Sequence, residues 1–367
     1  MKNFWLNAAF YQAKFAQGNT GRNPAVGCVI VNKNKVVGVG HTSINGRPHA
    51  EENALNMAGS NSLGGTLYVT LEPCNLKDNQ NSCSNLIIKS GVREVVMPML
   101  DHNKKTFKRG YKSLLKAGIK VTILKTTLSN FLINYPHYIF HKNKRPMVTI
   151  KLATSADGKI TYENGESKWI TNKTARNHVH QLRSLNDAIL VGYNTVEKDN
   201  PTLNTRIEGY KSKNYRVILD KDLKIKVSSN LVKTIKSNPL IIFTNKENNH
   251  ANYKILIKLG ANVISIPSDS RGYLSVKAII NKLHKLGIQK LMIEGGAKVA
   301  TSFIKENLVY FIYNYRSDKF IGSRGLHLFD NIECNNSFRI FEERKLINNT
   351  LEVWINKNIN LKKCLLE

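Results

Sequence analysis

Over residues 1 to about 125 the apolar positions alternate between a helical period and short strand-like runs, which predicts helices and strands in turn. Phe4, Trp5, Ala8, Ala9, Ala13 and Phe15 mark the apolar face of an opening helix. Val26-Gly27-Cys28-Val29-Ile30-Val31 reads as a strand, followed by a strand over 35–39, a helix over 49–58 and a strand over 66–71. A helix over 83–90, a strand over 92–97, a helix over 108–117 and a strand over 119–124 complete the segment. Strands separated by helices predict a mainly parallel sheet covered on both faces. Ligands of such sheets bind at the strand-to-helix turns.

A polar, basic stretch, His141-Lys142-Asn143-Lys144-Arg145-Pro146, interrupts the pattern and sets the expected boundary between a domain over 1–144 and a domain over 145–367. Met147-Val148-Thr149-Ile150-Lys151-Leu152-Ala153 then reads as a buried strand and Ser155 to Ile160 as a turn. Further strands are predicted at 187–192, 215–219, 239–244 and 289–293, with helices at 172–184, 250–259, 275–286 and 297–306. No internal repeat or low-complexity tract interrupts them. A chain of 367 residues supports two cores, since single cores rarely grow past about 250 to 300 residues.

Five cysteines without regular spacing argue against a disulfide framework. Cys28, inside an apolar strand, reads as a buried inert thiol, and Cys334 and Cys364 carry no signal. No apolar run reaches the roughly 18 to 20 residues of a membrane span. Polar residues through Gln12 and Lys14 break the start of the chain, so a cleavable secretory segment is not expected and a cytoplasmic protein is. The formal net charge of +29 favours anionic partners. Its lysines are spread along the whole chain with abundant Asn and Ile, as compositional drift produces, so phosphorylated small molecules are expected rather than a specific nucleic acid.

The densest chemistry is His49-Ala50-Glu51, then Glu72-Pro73-Cys74, then Cys83. One imidazole and two thiolates leave the fourth position of a tetrahedral zinc open to water, as catalytic sites require. Zinc deaminases carry His-x-Glu with Pro-Cys-x-x-Cys, the Glu acting as general acid and base without binding metal. Here eight residues, Asn75 to Ser82, separate the cysteines. Glu51 is therefore the expected proton carrier, taking a proton from zinc-activated water and returning it to departing ammonia. Ser82 is the expected N-cap of the helix that starts at Cys83, and helix N-termini are expected to hold the thiols ionised. Two plainer readings stand beside this one: ordinary core residues, and a structural zinc, for which no fourth Cys or His falls at ligand spacing.

A second candidate is Glu294-Gly295-Gly296-Ala297-Lys298, where a strand runs into an apolar helix. Missing side chains there let a phosphate approach backbone N–H groups, although Gly-Gly turns also serve packing. The pattern is not the dinucleotide fingerprint, and Gly38-Val39-Gly40 lacks its third glycine. Arg183 and Arg206 are candidate phosphate clamps.

Taken together, Asn23-Pro24-x-Val26-Gly27-Cys28-Val29-Ile30-Val31, His49-Ala50-Glu51 and Glu72-Pro73-Cys74 with Cys83 resemble the deaminase half of the bifunctional riboflavin biosynthesis deaminase/reductase family. Lys151-Leu152-Ala153-x-Ser155-x-Asp157-Gly158-Lys159-Ile160, Ser167-x-Trp169-Ile170-Thr171, Val179-His180-x-Leu182-Arg183, Thr195-Val196-x-x-Asp199-x-Pro201-x-Leu203-x-x-Arg206 and Glu294-Gly295-Gly296 resemble its reductase half. The resemblance implies an α/β chain: a cytidine-deaminase-like three-layer domain, then a dihydrofolate-reductase-like domain. It implies one Zn2+ on His49, Cys74 and Cys83, with Glu51 catalytic, for deamination of a phosphoribosylated diaminopyrimidinone. It implies NADPH at Ala153, Trp169, Thr195, Asp199, Gly295 and Gly296 for reduction of the ribosyl group. Ser167, Arg183, Leu203, Arg206 and Glu294 are then the implied substrate contacts.

The family's glycine, basic residue and two prolines between the cysteines are replaced here by Asn75-Leu76-Lys77-Asp78-Asn79-Gln80-Asn81-Ser82. Its Asp-x-Asn-Pro becomes Asp101-His102-Asn103-Lys104, and a usual acidic pair becomes Tyr310-Phe311. A reductase carrying a deaminase with weakened substrate binding is thus one alternative, and a zinc deaminase acting on a nucleic acid base is another. Oligomeric state, including a homo-oligomer, is left open by the sequence.

Overall fold

A computed structural model describes residues 1–75, 81–162, 170–209, 214–247, 250–327 and 337–359. The chain packs as two units, the first over Met1–Arg145 and the second over Pro146–Ile359.

The first unit runs α1 Lys2–Ala16, β1 Gly27–Asn32, β2 Lys35–His41, α2 Ala50–Ala58, β3 Thr66–Val69, α3 Cys83–Lys89, β4 Glu94–Met97, α4 Arg109–Lys116, β5 Lys120–Ile123 and α5 Leu128–Lys142. Its sheet has the order β2-β1-β3-β4-β5. Successive strand residues feed opposite faces. Val29, Val31, Tyr68 and Val96 pack under α1, while Cys28, Ile30, Leu67, Val69, Val95 and Met97 meet Ala50, Ala54, Ile87 and Leu114 of α2, α3 and α4.

Three expectations need correction. The first sheet is mixed rather than mainly parallel: β1 is antiparallel to both β2 and β3, and only β3-β4 and β4-β5 are parallel. The cause is local, because Lys33 and Asn34 both take positive φ, 48° and 60°, and close a two-residue hairpin whose twist matches antiparallel strands. The buried stripe of α1 is Leu6, Ala9, Phe10, Ala13 and Ala16, so Phe4 and Phe15, at 66% and 70% exposure, lie outside it. Helix α5 was not expected at all; Pro136 inside it argues against a helix in sequence, while the Thr127 side chain, accepting from Asn130 N, caps it.

The second unit runs β6 Met147–Thr154, β7 Lys159–Thr161, α6 Lys173–Ser184, β8 Ala188–Gly192, α7 Tyr193–Asp199, β9 Tyr215–Leu219, α8 Asn230–Lys233, β10 Leu240–Thr244 and α9 Ala251–Lys258. It continues through β11 Asn262–Ser265, α10 Val276–Lys285, β12 Lys290–Ile293, α11 Ala297–Lys305, β13 Val309–Ser317, β14 Leu326–His327, β15 Phe338–Leu346 and β16 Asn349–Asn356. Nine strands form one sheet in the order β11-β10-β9-β8-β12-β6-β13-β16-β15, and β14 pairs with β7. Every neighbouring pair from β11 to β13 is parallel, and β16 is antiparallel to β13 and β15. One face packs against α10 and α11 through Ile279, Leu283, Ala300 and Phe303. The other packs against α6, α8 and α9 through Leu182, Leu231 and Leu256. The strands after residue 306 were not expected; β15 is largely exposed and shows no apolar alternation, whereas β13 and β16 are mostly buried and carry readable apolar runs at 309–313 and 351–355.

Candidate functional site

Helix α2 owes its position to small residues. A Cβ on Gly38 would lie 2.2 Å from the Ala54 carbonyl oxygen, and one on Gly40 2.3 Å from that of Ala50. The helix therefore rests directly on β2, which is the close approach those two glycines serve. His49 stands at the N-cap of α2 and Glu51 in its first turn, buried. Cys74 follows β3, and Cys83 opens α3.

These side chains converge. His49 Nδ1 lies 3.2 Å from Cys83 Sγ and 3.6 Å from Cys74 Sγ, and the three ligand atoms lie within 4.8 Å of one another. A tetrahedral zinc with ordinary bond lengths puts nitrogen and sulfur ligands about 3.5 Å apart, so the donor set fits that ion in chemistry and spacing. Among the described residues no fourth His, Cys, Asp or Glu joins the group. Burial pushes the Glu51 carboxyl up to about 7, opposed by the His49 charge. Such a group both accepts and releases a proton near neutrality.

The expectation that helix N-termini ionise both thiols needs revising. Hydrogen bonding from Cys83 lowers Cys74 to about 4, and the same contact, with burial, holds the Cys83 thiol well above its ordinary value. Without metal the two sulfurs thus share one proton, and a thiolate at Cys74 raises His49. Ser82 occupies the N-cap position of α3, but its hydroxyl makes no capping bond and faces Ser84 Oγ at 3.4 Å. Burial raises the Cys28 thiol, in keeping with an inert core residue. Residues 76–80 of the departed loop, and Cys334 and Cys364, lie outside the described residues.

Glu72, which has no role in the sequence reading beyond its place beside Pro73, turns out to be a staple. Its buried carboxylate accepts from the backbone N–H groups of Asp101 at 3.0 Å, Lys108 at 3.1 Å and Tyr111 at 3.0 Å. The segment so held is fixed again by Asp101, which accepts from Asn103 N and Thr106 Oγ1 and meets His137 Nε2 of α5 at 3.0 Å. The loop after β4 is thereby anchored to the residue two before Cys74.

In the second unit, Ala153, Thr195, Gly295 and Gly296 gather at the C-terminal ends of the adjacent strands β6, β8 and β12. A Cβ on Gly295 would meet Val299 Cβ at 3.1 Å and the Gly192 nitrogen at 3.4 Å, whereas one on Gly296 would meet nothing within 4 Å. Gly295 thus serves packing, and open space lies over Gly296 at the N-terminus of α11, a geometry that fits a phosphate of a dinucleotide. Asp199 is exposed at the end of α7. Ser167 and Trp169 lie outside the described residues.

Arg183 of α6 is bidentate on Glu294, with Nε to Oε1 at 2.6 Å and Nη2 to Oε2 at 2.8 Å, and its Nη1 donates to the Asn204 carbonyl at 2.9 Å. Its fork therefore faces Glu294 and the loop over 200–206. Leu203, buried in that loop, takes φ 51°, a left-handed conformation costing roughly 1 to 2 kcal/mol for a residue with a Cβ. Arg206 is exposed, and its backbone N–H donates to His180 Nδ1 at 3.2 Å.

Two residues without an expected role complete this cluster. Burial draws the Lys151 ammonium below its ordinary value while Glu294 supports it. Burial, then the charges of Arg183 and Arg206, hold His180 down at about 4 against an ordinary 6.5. Between those two values the unfolded chain binds the extra proton, so His180 should make stability fall as pH drops from about 6.5 to 4. Thermal unfolding of the second unit in the parent and in His180→Asn should show the parent losing more melting temperature across that window. Parallel curves would contradict the assignment.

Two family models match the chain: the cytidine and deoxycytidylate deaminase zinc-binding region over residues 2–99 and the RibD C-terminal domain over residues 146–352. The riboflavin biosynthesis protein RibD of Aquifex aeolicus is 38% identical over 90% of both chains. Its counterpart from Bacillus amyloliquefaciens is 35% identical over 88% of this chain and 86% of its own. Among solved structures, RibD of Acinetobacter baumannii superimposes with a TM-score of 0.87 at 27% identity, covering 97% of this chain and 98% of that one. The diaminohydroxyphosphoribosylaminopyrimidine deaminase/5-amino-6-(5-phosphoribosylamino)uracil reductase of Thermotoga maritima superimposes with a TM-score of 0.84 at 28% identity over the same shares.

Proposed function

The chain belongs to the RibD family of riboflavin biosynthesis proteins, and from that premise we propose that its two units catalyse consecutive steps, a zinc-dependent deamination and an NADPH-dependent reduction. The observation that carries the reading is the convergence of His49, Cys74 and Cys83 with buried Glu51 beside them.

In the first unit, His49, Cys74 and Cys83 hold the metal. A bound zinc supplies Lewis acidity and an acidified water at neutral pH. Glu51, close to half protonated near neutrality, takes the proton of the attacking water and delivers it to the amino group that leaves. The Glu72 staple keeps the chain on either side of Cys74 from shifting when substrate enters. The substrate is the phosphoribosylated diaminopyrimidinone that the Thermotoga relative's name describes, and the product keeps its ribosyl phosphate.

In the second unit, Ala153, Trp169, Thr195, Asp199, Gly295 and Gly296 receive NADPH, and Ser167, Arg183, Leu203, Arg206 and Glu294 receive the deaminated product. NADPH when bound supplies hydride. Reduction of a ribosyl to a ribityl group also consumes a proton, and Lys151, whose ammonium form burial disfavours and Glu294 supports, is the group placed to give one beside the strand ends. Arg206 binds the phosphate of the substrate; Arg183 orients Glu294 and helps fix the loop that carries Leu203.

One purified sample tests the division of labour. Cys74→Ser should lose stoichiometric zinc and deamination while NADPH binding and reduction persist, because a serine hydroxyl is a poor zinc ligand at neutral pH. Zinc retained at one equivalent would remove Cys74 from the ligand set, and loss of both activities together would contradict two independent sites.

A further inference from the structure

We infer that Arg216, a buried residue of β9, is a positioning residue for reductase substrate binding, acting through the loop over 200–206 together with Asn230. This rests on the reading that Leu203 and Arg206 of that loop contact the substrate.

Arg216 is 1% exposed. Its guanidinium has only neutral acceptors: the Thr234 hydroxyl at 2.6 Å, the Asn238 carbonyl at 2.5 Å and the Thr202 carbonyl at 3.4 Å, while Nε is buried without a partner. Among the described residues no carboxylate pairs with it, and burial alone lowers it to about 10. A buried cation without a counter-charge is a poor way to fill a core, since an apolar side chain of similar volume avoids the desolvation cost. What the arginine adds is reach, because its planar fork ties two separate segments, the turn over 234–238 and the loop, to one strand. The loop is held at the carbonyl next to Leu203.

The loop needs holding. It contains no strand or helix, and it carries positive φ at both Asn200, 39°, and Leu203, 51°. Asn230, at the start of α8, binds Asn200 twice: its backbone N–H donates to Oδ1 at 2.8 Å and its Nδ2 to the carbonyl at 2.7 Å. Arg183 and His180 hold the loop at Asn204 and Arg206 from the side of α6, and Arg216 holds it at Thr202 from the sheet. Removing the sheet-side contacts frees the loop to leave the conformation that presents Leu203 and Arg206. The consequence falls on substrate binding more than on hydride transfer, and not on NADPH.

The test is steady-state reduction of 5-amino-6-(5-phosphoribosylamino)uracil by the full-length chain carrying Arg216→Lys, Arg216→Met or Asn230→Ala, with Arg206→Ala as reference. KM for the substrate should rise about tenfold or more in Arg216→Met and several-fold in Asn230→Ala, with kcat within about twofold and the Kd for NADPH unchanged. Arg216→Lys should fall between parent and Met, keeping charge but losing the fork. Asn230 lies near the surface, so its variant decides the matter if the Arg216 variants do not fold. Parent KM in Asn230→Ala and in folded Arg216→Lys sinks the proposal alone, provided that Arg206→Ala raises KM. A proportional fall of kcat, substrate affinity and NADPH affinity would mean a structural role only, and also sinks it. Parent KM in Arg206→Ala removes the loop from the substrate site, and with it both the proposal and the reading beneath it.

Discussion

Glu51→Gln is expected to keep zinc and lose deamination by about 10² or more, the contribution of a positioned acid/base. Glutamine has the same shape and fills the same buried space beside the first turn of α2, so the fold and the His49, Cys74, Cys83 cluster stay intact. What disappears is a group that exchanges a proton near neutrality, since burial holds the carboxyl at about 7 while an amide does not titrate. Metal analysis and both half-reactions on one preparation give the answer. Deamination at the parent rate would show that the proton travels by another group, and loss of zinc would show that Glu51 supports the metal rather than the chemistry.

The second large effect concerns Glu294. Its carboxylate is almost fully buried, takes both arms of Arg183 and supports Lys151. In Glu294→Gln two cations remain with no counter-charge beside them, and breaking a buried pair from one side typically costs about 3 to 5 kcal/mol. For a unit of this size that is a fall of about 6 to 20 °C in melting temperature. Reduction should fail as well, because Lys151 and Arg183 are left repelling each other beside the substrate contacts. Calorimetry of the full chain should move only the transition that carries the reductase, leaving the zinc-dependent one in place. The double change Glu294→Met with Arg183→Met separates the effects: it should restore much of the stability without restoring reduction. An unchanged melting temperature in Glu294→Gln would mean that the pair is open to water in solution.

How much of this was legible beforehand differs from element to element. The helices over 173–184, 251–258, 276–285 and 297–305 match the predicted ranges within a residue or two; two of them announce a polar cap, Asn172 and Ser275, and the last begins at a glycine pair. The antiparallel start of the first sheet was hidden in Lys33-Asn34, a hairpin turn whose only mark is two residues able to take positive φ. Helix α5 was hidden by Pro136, a helix breaker in sequence that sits here in a packed helix with Phe131 and Tyr135 buried beside it. Among the last strands only β15 was hidden, because a strand with water on much of its surface has no alternation to read; β13 and β16 are mostly buried and carry readable apolar runs at 309–313 and 351–355.

The sites divide in the same way. The grouping of His49, Cys74 and Cys83 was legible in the chain, since a metal demands particular donor types, and the structure brings those three side chains together. No local rule announces Glu72 as the anchor of Asp101, Lys108 and Tyr111, or Glu294 as the partner of Arg183, 111 positions away. The protonation of the thiols belongs here too: the contact of Cys74 with Cys83, together with His49 and burial, lowers the first and raises the second. The sequence by itself determined the family, the order of the two units and the clustering of one His with two Cys, because those depend on residue identity and near-neighbour periodicity. Tertiary structure alone decided the antiparallel pairing of β1 with β3, the charge states of the buried groups and the clamp of Arg216 and Asn230 on the loop over 200–206. Those depend on burial and on contacts between segments distant in the chain, which no local pattern encodes.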